Sequence, residues 1–206
     1  MNILVFGAGA VGSYLGGYLA NANHRVVLVT RSGSTRINEH GLTILMPDRR
    51  GSERIHVRPE AFTSYRQAVN YASEQGFEYD FILLTMKSYD VESAVNEIVA
   101  YTPEPAKIIT MQNGIDAEMP VVNQFGKDGL IAGSLTTPVS FDDSLNIVEE
   151  RSNRGVAFAS PNGSREYKQT ASLFKAAGLS AIGVRNYRSL KWSKALVNMV
   201  GNGTSA

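Results

Sequence analysis

The sequence contains no cysteine. Disulfide frameworks, thiolate nucleophiles and cysteine-ligated zinc are thereby excluded. It also lacks a dominant charge: 20 Lys and Arg stand against 19 Asp and Glu, a net charge of +1. Nothing in that balance attracts nucleic acid or an anionic membrane surface. No run of apolar residues exceeds four, whereas a membrane-spanning helix needs about 20. The three histidines, His24, His40 and His56, have no ligand spacing, so no metal site is expected. Neither a nucleophile elbow of the Gly-x-Ser-x-Gly type nor a phosphate-binding Gly-Lys-Ser/Thr is present. The opening residues run from Met1-Asn2 straight into Ile3-Leu4-Val5-Phe6, without the basic stretch or small-residue cleavage site of a secretory leader. The expectation is a cytoplasmic protein with neither membrane nor nucleic acid as partner.

What the chain does have is 206 residues, 43% of them hydrophobic, enough for a sizeable core. Ile3 to Phe6 is a short apolar run stopped by Gly7. Val11, Leu15 and Leu19 then recur at helical spacing, and Val26 to Val29 forms a second apolar run. Strand, glycine turn, helix and strand make one βαβ unit. Further buried-type strands are predicted at Phe81–Leu84, Ile108–Met111, Leu130–Ala132 and Leu179–Val184, with helices at Val91–Val99 and Tyr167–Ala176. Leu42–Met46 and Ile55–Val57, around the polar segment 47–51, predict a hairpin on the sheet edge. Ile147–Glu149 and Val156–Ala159 predict a second antiparallel hairpin. Arg49, Arg50 and Arg54 read as a solvated basic edge, and Trp192 as core. The expected class is α/β: a doubly wound, mostly parallel sheet with an antiparallel edge.

Gly7-Ala8-Gly9-Ala10-Val11-Gly12 is a strict G-x-G-x-x-G between a strand and a helix. In that context the first glycine permits a tight turn, the second lets the backbone approach a pyrophosphate, and the third allows close helix–strand packing. A glycine turn without ligand is the alternative. The second strand ends at Thr30-Arg31-Ser32, where an NAD-preferring site usually has Asp or Glu. A guanidinium there suits the 2′-phosphate of NADP, or else is a solvated surface arginine. Lys87 and Asn113 follow equivalent strand ends, where open parallel sheets place their ligands; a turn role is the alternative for each. From Ser189 onward the period is helical. Lys194, Asn198 and Asn202 fall at i, i+4 and i+8, one polar stripe that either holds an oxygen-rich substrate or faces solvent. Lys194 has the chemistry to protonate a carbonyl oxygen as it is reduced.

GAGAVG after NILVF, the arginine of VTR, then TMKSYDV, MQNGID, GSLTTPV and KWSKALVNMVGN occur in the order seen in ketopantoate reductases (2-dehydropantoate 2-reductases), and the chain resembles that family from Asn2 to Asn202. It departs from the pattern at Asn202-Gly203, where many members have Asn-Pro. The resemblance implies a Rossmann-type domain over residues 1–188, followed at 189–206 by the first helix of a helical substrate domain whose remainder lies beyond this sequence. It implies NADPH-dependent reduction of 2-dehydropantoate to pantoate, on the way to pantothenate and coenzyme A. By the same resemblance Gly7 to Gly12 hold the pyrophosphate and Arg31 the 2′-phosphate. Lys87 and Asn113 line the cleft, Asn113 on the substrate side as well, and Val139 lies near the nicotinamide. Lys194 is the proton donor, and Asn198 and Asn202 bind substrate. The partner is a small 2-oxo acid, and a homodimer is left open. Two other readings remain: a module that binds NADP(H) without catalysis, and a reductase of a different oxo acid.

Overall fold

The structure, a computed structural model, describes residues 1–46, 53–114, 116–152 and 154–203, the last seven of these by backbone alone. The first half runs β1 (Asn2–Phe6), α1 (Ala10–Asn21), β2 (Arg25–Val29), α2 (Ser34–His40), β3 (Leu42–Met46), β4 (Glu53–Val57), β5 (Glu60–Phe62), α3 (Tyr65–Glu74) and β6 (Phe81–Leu84). A 3₁₀ turn (Ser88–Asp90) and α4 (Val91–Tyr101) follow, then β7 (Lys107–Thr110), α5 (Met119–Phe125) and β8 (Leu130–Leu135). The chain continues through β9 (Val139–Phe141), β10 (Ile147–Glu149), β11 (Val156–Ala159), α6 (Glu166–Ala176), β12 (Ala181–Gly183) and α7 (Tyr187–Gly203).

Eight strands form the main sheet in the order β12-β11-β8-β7-β6-β1-β2-β5. All neighbours are parallel except β11, which runs antiparallel to β8. Side chains alternate between its faces. Ile3 and Val5 join a core with Leu15, Leu19 and Leu28, while Leu4 joins Val27, Ile82 and Val95 on the other side. A parallel strand buried on both faces reads as a continuous apolar run rather than an alternation, which is why ILVF and VVLV were legible as strands. The order places β1 between β2 and β6, so the chain winds in opposite directions on either side of it. This is the doubly wound arrangement with its switch point at the carboxyl ends of β1 and β6.

A second sheet, β4-β3-β10-β9, covers the far side of α1. The predicted hairpin 42–57 is therefore present as β3 and β4 but belongs to this second sheet, not to the main-sheet edge; its tip, 47–52, with Arg49 and Arg50, lies outside the described residues. Arg54 is exposed. The second predicted hairpin is not formed. β10 pairs with β9 and β3, whereas β11 pairs with β8 and β12, so the segment between them crosses from one sheet to the other. The real hairpin is β9–β10. Its turn is closed by Asp142, whose carboxylate accepts from the Asn146 amide (2.8 Å) and side chain (2.9 Å).

Residues 12–19 of α1 are all buried, because the helix is enclosed by sheets on two sides. A Cβ on Gly16 would meet Leu28 of the main sheet at 3.1 Å, and one on Gly17 would meet Ile44 of the second sheet at 2.7 Å. The adjacent glycines are thus the points of closest approach to the two layers. Tyr14 and Tyr18 reach across to the second sheet, donating to the buried Glu149 carboxylate at 2.8 and 3.1 Å. Burial, with Tyr18 and Glu149 beside it, holds the Tyr14 phenol protonated far above the ordinary range. α3 escaped the apolar-periodicity reading, yet its start is written in Ser64-Tyr65-Arg66-Gln67. The Ser64 hydroxyl accepts from the Gln67 amide (3.3 Å), and the Gln67 side chain accepts from the Thr63 amide (3.0 Å). No helix among the described residues is long and apolar enough to cross a membrane.

Candidate functional site

At the switch point lies a cleft of about 920 Å³, a volume suited to a large organic ligand. Its floor is the turn from β1 into α1. Gly7 has φ +108°, and a Cβ there would strike the Met86 amide at 2.6 Å. Its own amide and that of Ala8 both donate to the Val29 carbonyl at 2.9 Å, which fastens the turn to β2. On the opposite side the Thr85 hydroxyl donates to the Gly7 carbonyl at 2.7 Å. Gly12 faces that same carbonyl, and a Cβ on it would come within 2.4 Å. Gly9 is different: a Cβ added there meets nothing within 4 Å. It borders the cleft together with Ala8, Ala10 and Val11. Among the described residues no side chain caps α1, and its first turn holds no acid, so its leading amide groups present partial positive charge to the cleft. Open space at Gly9 beside those amides fits a phosphate-bearing dinucleotide.

Arg31 lies just beyond β2 and lines the cleft, its side chain 82% exposed. The sequence shows no acid near it. Tertiary structure supplies one: Asp90, from the 3₁₀ turn after β6, accepts from Arg31 Nη2 at 2.8 Å. Lys87 is exposed and borders the same cleft, as does Asn113 at the end of β7. Val139 opens β9 and, with Phe141, forms an apolar wall contributed by the second sheet.

Beneath the Asn113 loop sits a buried ion pair that the sequence reading missed. Lys191 is 3% exposed and Glu118 1%, and the two are in direct contact. The Lys191 ammonium also donates to the carbonyls of Gln112 (3.0 Å) and Gly133 (3.2 Å). Glu118 accepts from the Thr110 hydroxyl (3.2 Å) and the Tyr187 phenol (3.1 Å). Burial, with Glu118 alongside, raises the Tyr187 pKa and keeps it a donor. This cluster ties α7 to the ends of β7 and β8. The available signal was a second lysine one helical turn before Lys194; its partner Glu118, 73 positions away in sequence, could not be seen.

Lys194 is half-buried on α7 and is not among the residues lining the cleft. Burial, and then the positive charge of Arg154 in the loop before β11, lower its pKa below the ordinary lysine value. Asn198 and Asn202 lie on the same helix, but their side chains are outside the described residues. Trp192 is not core: it is 51% exposed, because Leu190 and Lys191 face the sheet and turn it outward. Among the described residues no group of His, Asp and Glu could hold a metal.

Comparison with known proteins adds a family. The model described as "Ketopantoate reductase PanE/ApbA" matches residues 3–163. The 2-dehydropantoate 2-reductase of Pyrococcus horikoshii is 32% identical over 209 residues, covering 98% of this chain and 62% of that protein. Among solved structures, a 2-dehydropantoate 2-reductase from Methylococcus capsulatus superposes with a TM-score of 0.78 at 26% identity, covering 100% of this chain and 64% of that one. A D-mandelate dehydrogenase solved with NADH and anilino(oxo)acetate has a TM-score of 0.80 at 21% identity, covering 99% and 63%, a likeness of fold. The chain thus spans less than two thirds of the length of these proteins.

Two outcomes follow from the packing. Gly9→Val keeps the fold, since its Cβ enters open space, yet weakens dinucleotide binding roughly tenfold or more. Gly12→Val instead lowers stability by about 1–3 kcal/mol; thermal unfolding and ligand titration of the two variants separate these effects. Lys191→Met leaves Glu118 buried without its counter-charge and costs about 3–5 kcal/mol, most of it recovered when Glu118→Leu is added. Denaturant unfolding of the single and double variants measures both.

Proposed function

The chain belongs to the ketopantoate reductase family, and from that membership we propose that it binds NADP(H) and reduces a 2-oxo acid, 2-dehydropantoate to pantoate. The observation that carries this reading is one cleft at the sheet's switch point, bordered by Gly7 to Val11 of the glycine turn, Arg31, Lys87, Asn113 and Val139. The amides of the turn and of α1 hold the pyrophosphate, and the guanidinium of Arg31 takes the 2′-phosphate. Lys87 adds a cation toward the same phosphates, and the apolar Val139 excludes water near the nicotinamide. When bound, the dinucleotide supplies a hydride to the ketone carbon. Asn113, Asn198 and Asn202 hold the oxo acid through their amides. Lys194 gives a proton to the carbonyl oxygen, completing the alcohol, and is itself reprotonated from water. Its lowered pKa favours that transfer, because an ammonium closer to neutrality releases its proton more readily.

Calorimetric titration of the 206-residue chain tests the reading. NADPH binds more tightly than NADH, and Arg31→Ala weakens NADPH about tenfold while leaving NADH within about twofold. Failure of the chain to bind either dinucleotide overturns it. A second test addresses the donor. The Lys194 amine titrates below the ordinary lysine range, and Arg154→Ala moves that titration upward, as read by NMR of the ¹³C-methylated amine. A protonated donor is required, so any step through Lys194 slows as pH rises through this pKa and persists to higher pH in the variant. The stability sign is opposite. Between its folded and unfolded pKa values Lys194 is more protonated in the unfolded chain, so stability increases with pH there.

A further inference from the structure

The end of β2 carries Thr30-Arg31-Ser32 without an acid, but the folded cleft is not without one. Asp90 lies 59 residues along the chain and pairs with Arg31 at 2.8 Å. Its side chain is 26% exposed against 82% for Arg31, so the carboxylate is the better-fixed member. It is held by its own backbone, the Asp90 amide donating to the Lys87 carbonyl at 3.0 Å, and it immediately precedes α4, where the helix dipole favours negative charge. Of the other charged groups bordering the cleft, Lys87 is exposed, whereas Arg36 and Glu97 are engaged elsewhere. Arg36 donates to the Ser144 carbonyl at 2.8 Å, and Glu97 accepts from the Tyr65 amide at 3.0 Å.

We propose that Asp90 is a specificity-determining residue that restrains the preference of Arg31 for NADPH and gives the cleft a working affinity for NADH. The inference rests on the cofactor reading above and deepens it. In NAD-binding folds a carboxylate near the end of the second strand accepts from the adenosine ribose hydroxyls. Here the loop after β6, on the far side of β1 from β2, brings a carboxylate to the Arg31 guanidinium instead. An incoming 2′-phosphate meets a guanidinium already engaged and a like charge beside it. Arg31 has five N–H donors and can serve phosphate and carboxylate together, but the repulsion between the two anions remains. A 2′-hydroxyl brings no such charge and gains an acceptor. Because the Arg31 side of the pair is exposed, water and salt screen the competition and its size is modest.

The experiment is calorimetry of NADPH and NADH on the wild-type chain and on Asp90→Asn, with adenosine 2′,5′-bisphosphate and AMP as probes confined to the adenosine end. Removing the charge strengthens NADPH about fivefold and weakens NADH, moving the affinity ratio about tenfold toward NADPH. The two adenylates move in the same sense, and raising ionic strength shrinks the difference between wild type and variant. An unchanged ratio overturns the proposal while leaving the cofactor reading intact. A loss of NADPH affinity in Asp90→Asn also overturns it, since Asp90 would then only orient Arg31. A wild-type chain that binds neither dinucleotide removes the cofactor reading and this inference together.

Discussion

The architecture depends on how closely α1 is allowed to approach the sheet. With the Gly7 carbonyl fixed by the Thr85 hydroxyl, and Gly12 so near that a Cβ would overlap it, the helix can enter directly from β1 without displacing β6. Four residues later Gly16 and Gly17 repeat the device on two sides at once, letting the main sheet and the second sheet both close on a single helix. From that enclosure follows the cleft. The turn is pinned to β2 through Val29 and to β6 through Thr85, while Gly9, between its two crowded glycines, faces open space.

The same end of the sheet is held by charge as well as by packing. Lys191 and Glu118 are almost wholly buried, and a buried pair is weak support for stability when an apolar pair of equal volume could replace it. Its value here is geometric. The ammonium contacts Gln112, just before Asn113, and Gly133 on β8, so the orientation of α7 is set by the two strand ends it meets. Lys194 rides one turn further along that helix. Its surroundings are cationic through Arg154, while the end of the cleft beyond β2 pairs the cation Arg31 with the acid Asp90.

Local signals proved reliable where the environment of a segment was uniform. ILVF, VVLV and FILL are buried on both faces and announced parallel strands by their composition, and Gly178, with φ +95°, stops α6 as expected. Segments whose partners are remote were harder. Ile147–Glu149 and Val156–Ala159 look like neighbours across a polar turn, but each finds a better-matched strand elsewhere, one at β9 and the other at β8. Short elements such as α2, β5 and α5 carry too few residues for a period to emerge. Trp192 shows the same limit from the other side, since apolar character alone does not say which face of α7 meets the sheet.

By itself the sequence determined the βαβ opening, the glycine turn, the cation at the end of β2 and the helix that carries Lys194. Each is written in a few adjacent positions, because backbone conformation and helical spacing are local properties. Only the tertiary structure decided which of these residues share a cleft, that Arg31 is met by Asp90, that Lys191 is buried against Glu118, and that a second sheet encloses α1. Those outcomes join positions separated by tens of residues. Their energies depend on distance and burial in the folded chain, quantities with no counterpart in the order of residues.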